Sequence, residues 1–294
     1  MRATIRDTEI YFDVEGAGLV ADGPRMREKP PAFIIHGGPG GDHSDLKTRF
    51  NELRDRMQLV YFDHRGQGRS ARGDVAKYNI DENAEDMEAL RLHLGLGPVV
   101  SIGTSYGGMV AMAHAARYPK SVSHLVLCVT AAHSGFMSRA IKIVAERGTV
   151  EQKAVCDQLF AGELDTVEKV RHYYEVMGPL YSVKHNPVEA KAGRERGIVS
   201  PEALNRAFAP GGFLTSYDLR PELKNIIAPT LIIAGRHDWI CAPEFSEEIH
   251  RLIPGSDLRI FEESGHSVRV DEPQKLIDTI AGFVVYQHKH ASTG

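Results

Sequence analysis

Val99-Val100-Ser101-Ile102-Gly103-Thr104-Ser105-Tyr106-Gly107-Gly108-Met109 is the stretch on which the reading of this chain turns. Val99–Ile102 has the short, mostly apolar character of a buried strand, and Met109–Arg117 reads as a helix that stops before Pro119. Between them stands the pattern G-x-S-x-G. A serine placed at a sharp strand-to-helix turn is held in strained backbone geometry, typically at a cost of about 1–3 kcal/mol. Side chains two residues to either side would clash in so tight a turn, which accounts for Gly103 and Gly107. The hydroxyl of Ser105 is then expected above the sheet, near the positive end of the following helix. The pentapeptide alone can arise by chance in a glycine-rich loop; its place between strand and helix makes Ser105 a candidate nucleophile.

Working outward, the same rhythm recurs. Thr4–Val14 alternates as a strand would, and Ala17–Pro31, rich in glycine, proline and charge, reads as a loop. Ala32–Ile35 is a short apolar run, followed by a helix from an N-cap at Asp42 to about Arg56. Gln58–Phe62, Val99–Ile102 and His124–Val129 are strand-like, and Asp81–Leu94 is helical. Apolar strands alternating with helices indicate an α/β fold with a mostly parallel sheet covered on both faces. The rhythm breaks after Ala132. From 133 to 213 the sequence offers helical segments around Arg139–Arg147, Glu151–Phe160, Thr166–Met177 and Pro201–Phe208, and no convincing strand. Alternation resumes with strand Thr230–Ala234, helix Pro243–Leu252, strand Asp257–Phe261 and helix Gln274–Tyr286. The expected organisation is therefore a core of 1–132 and 214–294, with 133–213 as an all-helical cap over the carboxyl edge of the sheet, where α/β folds bind ligands. No internal repeat is visible, and Gln287–Gly294 reads as a frayed polar tail.

Composition narrows the function. The chain has 294 residues, 25% of them charged, with 35 Lys and Arg against 39 Asp and Glu. A net charge of −4 advertises no basic face, which argues against nucleic acid as a partner. No run approaches 18 consecutive apolar residues, so no membrane span is expected, and the first 16 residues contain no apolar segment of the signal-peptide type. Three widely separated cysteines, Cys128, Cys156 and Cys241, suit a reducing cytoplasm better than a disulfide framework. The expected partner is a small-molecule substrate. Nothing in the sequence sets an oligomeric state.

A serine hydroxyl needs a base, and the base needs an orienting acid. In this topology the acid and then the histidine follow the serine along the chain. Asp238 follows strand Thr230–Ala234 in Gly235-Arg236-His237-Asp238, and His266 follows the next strand in Ser264-Gly265-His266-Ser267. The preceding strand end, Cys128–Ala132, contains no carboxylate to compete. Asp238 also suits a helix N-cap ahead of Pro243, His237 is a rival base, and His266 has the bland alternative of a solvated loop histidine. His64, within Asp63-His64-Arg65-Gly66-Gln67-Gly68, is assigned to a structural turn in which Asp63 and Arg65 satisfy backbone groups and each other. Most other histidines are expected at the surface. The loop His36-Gly37-Gly38-Pro39-Gly40-Gly41 lets backbone approach a substrate closely, and the N–H groups of Gly38 and Tyr106 are the candidate oxyanion donors. His36 itself is assigned a structural hydrogen-bonding role. No Lys-Ser/Thr completes a phosphate loop, no G-x-G-x-x-G is present, and the H-E-x-x-H, C-x-x-C and EF-hand patterns are lacking, so neither cofactor nor metal is expected. His288 and His290 are adventitious metal ligands at most.

Five stretches together carry a resemblance: HGGPGG (36–41), DHRGQGRS (63–70), GTSYGG (103–108), GRHD (235–238) and SGHS (264–267). With them the chain resembles the α/β-hydrolases, and more narrowly the proline iminopeptidase group. That resemblance implies an eight-stranded, mostly parallel sheet with a helical cap, a Ser-His-Asp triad and no cofactor. The chain departs from the group's pattern at Tyr106, where those enzymes carry tryptophan. It departs again in the cap, which contains no tryptophan, the single one being Trp239. Glu175, Glu189 and Glu195 are available acids in the cap, with the spacing of solvated helix faces rather than of the glutamate motifs by which the group grips a free α-amino group.

The expected activity is hydrolysis of a small amide, ester or lactone through an acyl-enzyme on Ser105. Cleavage of an activated C–C bond by the same triad and a receptor-like protein with little turnover are the alternatives. Epoxide hydrolase or dehalogenase chemistry is disfavoured, because serine stands where those members place aspartate. Met137, Tyr173, Tyr174, Tyr181, Phe208 and Phe213 are candidate pocket residues, although aromatics and methionines at helical spacing more often serve packing.

Overall fold

A computed structural model of the chain describes residues 1–291, with side chains to Val284. Eight strands form one sheet: β1 (Arg2–Ile5), β2 (Thr8–Glu15), β5 (Pro31–Ile35), β6 (Gln58–Phe62), β7 (Val99–Thr104), β8 (Val122–Cys128), β9 (Thr230–Gly235) and β10 (Asp257–Phe261). Their spatial order is β1-β2-β6-β5-β7-β8-β9-β10. Only β2 opposes its neighbours; every other pairing is parallel, as expected for this fold class. The remaining strands, β3 (Leu19–Asp22) and β4 (Arg25–Glu28), pair with each other alone.

The sheet is buried on both faces because its strands alternate two apolar sets. Phe33, Ile35, Val60 and Phe62 pack with helices α2 (Ile80–His93) and α3 (Tyr106–Arg117), while Ala32, Ile34, Leu59 and Tyr61 pack with α1 (Ser44–Phe50) and α11 (Pro273–Ala291). This period of two, with apolar residues in both sets, produces the near-continuous runs seen in the sequence. Chain order sets where a ligand can sit. From β5 the chain moves to β6 on one side, then returns to place β7 on the other. The crevice beyond the carboxyl ends of β5 and β7 is thus the topological switch point.

Between β8 and β9 lie five helices: α4 (Gly135–Arg147), α5 (Val150–Ala161), α6 (Val167–Tyr181), α7 (Pro187–Arg196) and α8 (Pro201–Phe208). The chain enters and leaves this interval side by side. Ser134 N–H donates to Tyr217 O at 3.0 Å, Leu219 N–H to Ala132 O at 2.8 Å, and an isolated bridge joins His133 and Asp218. Phe136, Ile143, Leu159, Tyr173 and Leu204 from these helices join the same apolar cluster as α2 and α3.

Several expectations need correction. The strand expected over Thr4–Val14 is two antiparallel strands, turned at Arg6 with φ 50°. The loop expected over 17–31 contains the β3–β4 hairpin, turned at Gly23-Pro24 and mostly exposed, so it carries no burial pattern. The first helix starts at Ser44 with His43, not Asp42, at its N-cap; Asp42 nevertheless accepts from Ser44 N–H at 3.1 Å. Helix α7 was not foreseen: it has no buried residue, hence no apolar period to read. Helix α11 continues past Tyr286, and the side chains of the expected tail, His288 and His290 included, lie outside the described residues.

The turn at Ser105 rests on close packing. A Cβ at Gly107 would lie 2.2 Å from Ile35 O, and one at Gly103 would lie 2.4 Å from Gly107 O. Helix α3 is in turn tied to α2 by Glu88, which receives Arg91 Nη2 at 2.6 Å, Ser121 Oγ at 3.1 Å and contacts the buried His114 Nε2 at 3.0 Å. Burial pushes the Glu88 carboxyl up, but the hydrogen bonds from Arg91 and His114 outweigh it and hold the pKa at about 2, against an ordinary 4.5. A lowered carboxyl pKa contributes stability above its unfolded value, lost as pH falls through the folded one. The melting temperature should therefore fall between pH 4.5 and about 2, and Glu88→Gln should make that fall shallower; an unchanged slope contradicts this assignment. Gly107→Ala should destabilise the chain by about 1–3 kcal/mol through overpacking, measured by urea unfolding. A variant as stable as the parent would show that Ile35 and Gly107 are not in contact.

Candidate active site

Four loops leave the carboxyl edge of the sheet at the candidate residues. β9 and β10 are parallel neighbours in register, Gly235 beside Phe261, so Asp238 and His266 emerge from adjacent strand ends. Arg236 N–H donates to Phe261 O at 3.0 Å and His237 N–H to Ser264 O at 2.9 Å, which fastens the two loops together. Asp238 is 2% exposed and His266 5%. Asp238 Oδ1 accepts from the N–H groups of Ile240 (2.9 Å) and Cys241 (3.0 Å), while Oδ2 faces His266 Nδ1 at 2.7 Å. An ionised carboxylate only accepts, so Nδ1 carries the imidazole proton and Nε2 keeps a free lone pair. The helix N-cap reading of Asp238 is not met, because Ala242 stands at the N-cap of α9 (Pro243–Leu252) with no side-chain cap; instead one Asp238 oxygen accepts from the turn ahead of that helix and the other faces the imidazole. The rival, His237, is exposed.

Ser105 has φ 55° and ψ −121°. Its N–H donates to Cys128 O at 2.9 Å, and its carbonyl accepts from Gly108 N–H and Thr130 Oγ1, both at 2.8 Å. Tyr106 is the first residue of α3, so its N–H has no intrahelical acceptor. Its ring points into the core, where burial pushes the phenol pKa far up and Asn83 Nδ2 donates to the hydroxyl at 2.6 Å.

His36 sets the glycine loop. Its Nε2 accepts from His64 N–H at 3.2 Å, so Nδ1 carries the proton and donates to Gly37 O at 2.8 Å. His64 Nε2 lies 3.2 Å from His36 O, and the two rings sit 4.4 Å apart. Burial pushes both imidazoles below their ordinary pKa, keeping them neutral. With the Gly37 carbonyl turned toward His36, the Gly38 N–H of the same trans peptide points the opposite way. Asp63 and Arg65 do not satisfy each other, contrary to expectation. Asp63 accepts from His43 and from Arg69 N–H, whereas Arg65 makes a two-pronged pair with Asp86, each contact 2.5 Å. His43, His114 and His124 are buried, exceptions to the expectation that most other histidines lie at the surface.

Ser105, His266, His36, Gly37 and Gly38 line one cavity of about 320 Å³. Of the pocket candidates, Tyr173, Tyr174, Tyr181 and Phe208 are in its wall, and Met137 and Phe213 are not. Phe213 instead packs on the Tyr106 ring, with centroids 5.9 Å apart. Nothing in the sequence marks Phe136, Leu159, Leu204 or Leu214, which reach the wall from distant helices. Ile240 and Cys241 were findable, because they follow the candidate acid directly. Asp271 was also missed. Fully buried, it accepts from Gly265 N–H (2.8 Å), Ser182 Oγ (2.5 Å) and Lys184 N–H (2.9 Å), and so joins the histidine loop to the end of α6. Among the described residues no group of three or more His, Cys, Asp or Glu is arranged to hold a metal ion, and no helix is long and apolar enough to cross a membrane.

The profile of the alpha/beta hydrolase fold matches residues 30–273. A proline iminopeptidase of Pestalotiopsis fici is 30% identical over 92% of this chain and 97% of its own length. Among solved structures, a proline iminopeptidase from Mycobacterium smegmatis aligns with a TM-score of 0.76 at 21% identity, covering 99% of this chain and all of its own. An enol-lactonase from Burkholderia xenovorans aligns with a TM-score of 0.74 at 20% identity, covering 97% of this chain and all of its own. The same scaffold therefore serves proteins named for different reactions, and sequence likeness leads to the iminopeptidases. On these grounds the chain belongs to the α/β-hydrolase fold family and is a hydrolase resembling the proline iminopeptidases.

Proposed function

We propose that this hydrolase cleaves a small ester, amide or lactone through an acyl-enzyme on Ser105. The observation that carries the reading is the 2.7 Å contact between His266 Nδ1 and Asp238 Oδ2, with His266 and Ser105 in the wall of one cavity. Ser105 Oγ attacks the substrate carbonyl, and His266 Nε2 takes the hydroxyl proton as the bond forms. Asp238 holds the imidazole in the required tautomer and stabilises the imidazolium. The tetrahedral oxygen receives the N–H groups of Gly38 and Tyr106, which need no reorganisation at that moment. The imidazolium then protonates the leaving oxygen or nitrogen, and water activated by His266 releases the acid. Residues 133–213 act as the lid of this site. No step calls on a cofactor or metal, and three buried free cysteines suit a cytoplasmic enzyme.

Ser105→Ala should lower kcat/KM toward a chromogenic acyl ester by roughly 10⁴-fold or more while the melting temperature stays near that of the parent. Retained turnover in that variant contradicts the reading. Asp238→Asn should lower kcat by a factor on the order of 10³–10⁴ with little change in KM, since the geometry survives but the tautomer does not. A loss confined to KM would instead make Asp238 a substrate-binding group.

A further inference from the structure

Tyr173 and Tyr181, both in the cavity wall, place their hydroxyl oxygens 3.1 Å apart. Burial pushes both phenols well above their ordinary pKa, so each keeps its proton. Two hydroxyls bring two protons, and the hydrogen bond between them uses one. Among the described residues neither oxygen has a second hydrogen-bond partner. One O–H is therefore left to donate elsewhere. Tyr173 is 1% exposed, whereas Tyr181 is only partly buried. A proton stranded on the enclosed Tyr173 would forfeit its hydrogen bond, but on Tyr181 it can reach a ligand in the cavity. Tyr173 accordingly donates to Tyr181, which polarises the outward O–H.

That hydroxyl belongs to a residue fixed against the base. Tyr181 ends α6, and its carbonyl accepts at 2.8 Å from the N–H of Ser267, the residue after His266. A Cβ at Gly265 would lie 2.9 Å from the same carbonyl oxygen. The Tyr181 ring meets those of His266 and Trp239 edge to face, with centroids 5.5 Å and 5.4 Å apart. Tyr174 also lines the cavity, but among the described residues its hydroxyl has no hydrogen bond to set its direction. Sheet order puts Tyr181 across the site from the glycine loop: β7, with Ser105, lies between β5, with Gly38, and the β9–β10 end that carries Asp238 and His266. With the oxyanion held by Gly38 and Tyr106, Tyr181 meets a different substrate oxygen. His266 hands its proton to the departing atom, so a donor packed on its ring stands on the leaving-group side.

We infer that the substrate's leaving group carries an uncharged acceptor oxygen (an ether, hydroxyl or carbonyl) close to the scissile bond, and that the Tyr181 hydroxyl donates to it. This inference rests on the acyl-enzyme reading of Ser105 and deepens it by naming the substrate class. Esters and amides of oxygen-bearing alcohols or amines fit the site better than those of plain alkyl ones.

Two esters of one acyl group test it, the 2-methoxyethyl ester and the n-butyl ester, whose leaving groups match in length. The acyl group is the one turned over fastest as its p-nitrophenyl ester. Each kcat/KM, normalised to the ester's hydrolysis by hydroxide, reports acylation, and both esters pass through the same acyl-enzyme. The parent should prefer the methoxyethyl ester by about 3- to 10-fold, the scale of one hydrogen bond. Tyr181→Phe should abolish that preference, Tyr173→Phe should reduce it without abolishing it, and Tyr174→Phe should leave it unchanged. Each ratio is taken within one preparation, so a loss of folded protein cancels. No preference in the parent, a preference that survives Tyr181→Phe, or one that Tyr173→Phe or Tyr174→Phe abolishes overturns the inference and leaves the serine mechanism standing. Turnover of both esters by Ser105→Ala at the parent's rate instead brings down the serine mechanism itself.

Discussion

The backbone at Ser105 is the constraint on which the site depends. A non-glycine residue at φ 55° and ψ −121° lies outside the favoured regions, at a cost of about 1–3 kcal/mol that its surroundings must offset. They do so from three directions. The amide is taken by Cys128 O on β8, the carbonyl by Thr130 and Gly108, and the two flanking glycines leave no room for the turn to relax. Because β7 lies between β5 and β8, the same residues fix the distance from the serine to the glycine loop. The strained turn is thus a product of the whole parallel sheet, not of five residues.

A second consequence concerns rigidity across the site. Asp238 and His266 come from adjacent strands laced by backbone hydrogen bonds, so their contact needs no ordering when substrate arrives. The histidine loop also reaches outward: Ser267 N–H donates to Tyr181 O at 2.8 Å, and Asp271 holds Gly265, Ser182 and Lys184 together. Helix α6, which supplies much of the cavity wall, is therefore mechanically continuous with the imidazole. The shape of the cavity wall and the position of the imidazole are set by one connected piece of structure.

Much of this was legible in the sequence, for identifiable reasons. β5, β7, β8 and β9 announce themselves because burial on both faces forces apolar runs, and the turn at Ser105 because only glycine fits beside it. The mostly parallel sense of the sheet follows from that alternation, and its count of eight strands from the resemblance that the five motifs carry. Other features carried no such mark. The β3–β4 hairpin and α7 bury little, so selection for apolar periodicity never wrote them into the chain. The pairing of Arg65 with Asp86, rather than with Asp63, spans 21 residues and depends on how α2 docks. The cavity wall is assembled from helices whose apolar residues look alike whether they face a core or a ligand. The residues that meet at the sheet edge were readable, because geometry there demands particular types; the make-up of the cavity wall was not, because the wall demands only shape and polarity.

The central claim is that Ser105 becomes acylated with His266 as its base, and pre-steady-state acylation examines it most directly. Mixing the protein with a slowly deacylating p-nitrophenyl ester should give a burst of p-nitrophenolate close to one equivalent per chain. Acid quenching should then locate one acyl group on the peptide carrying Ser105, and His266→Ala should suppress both. Steady turnover with no acyl group on that peptide, or with the group on another side chain, would contradict the account.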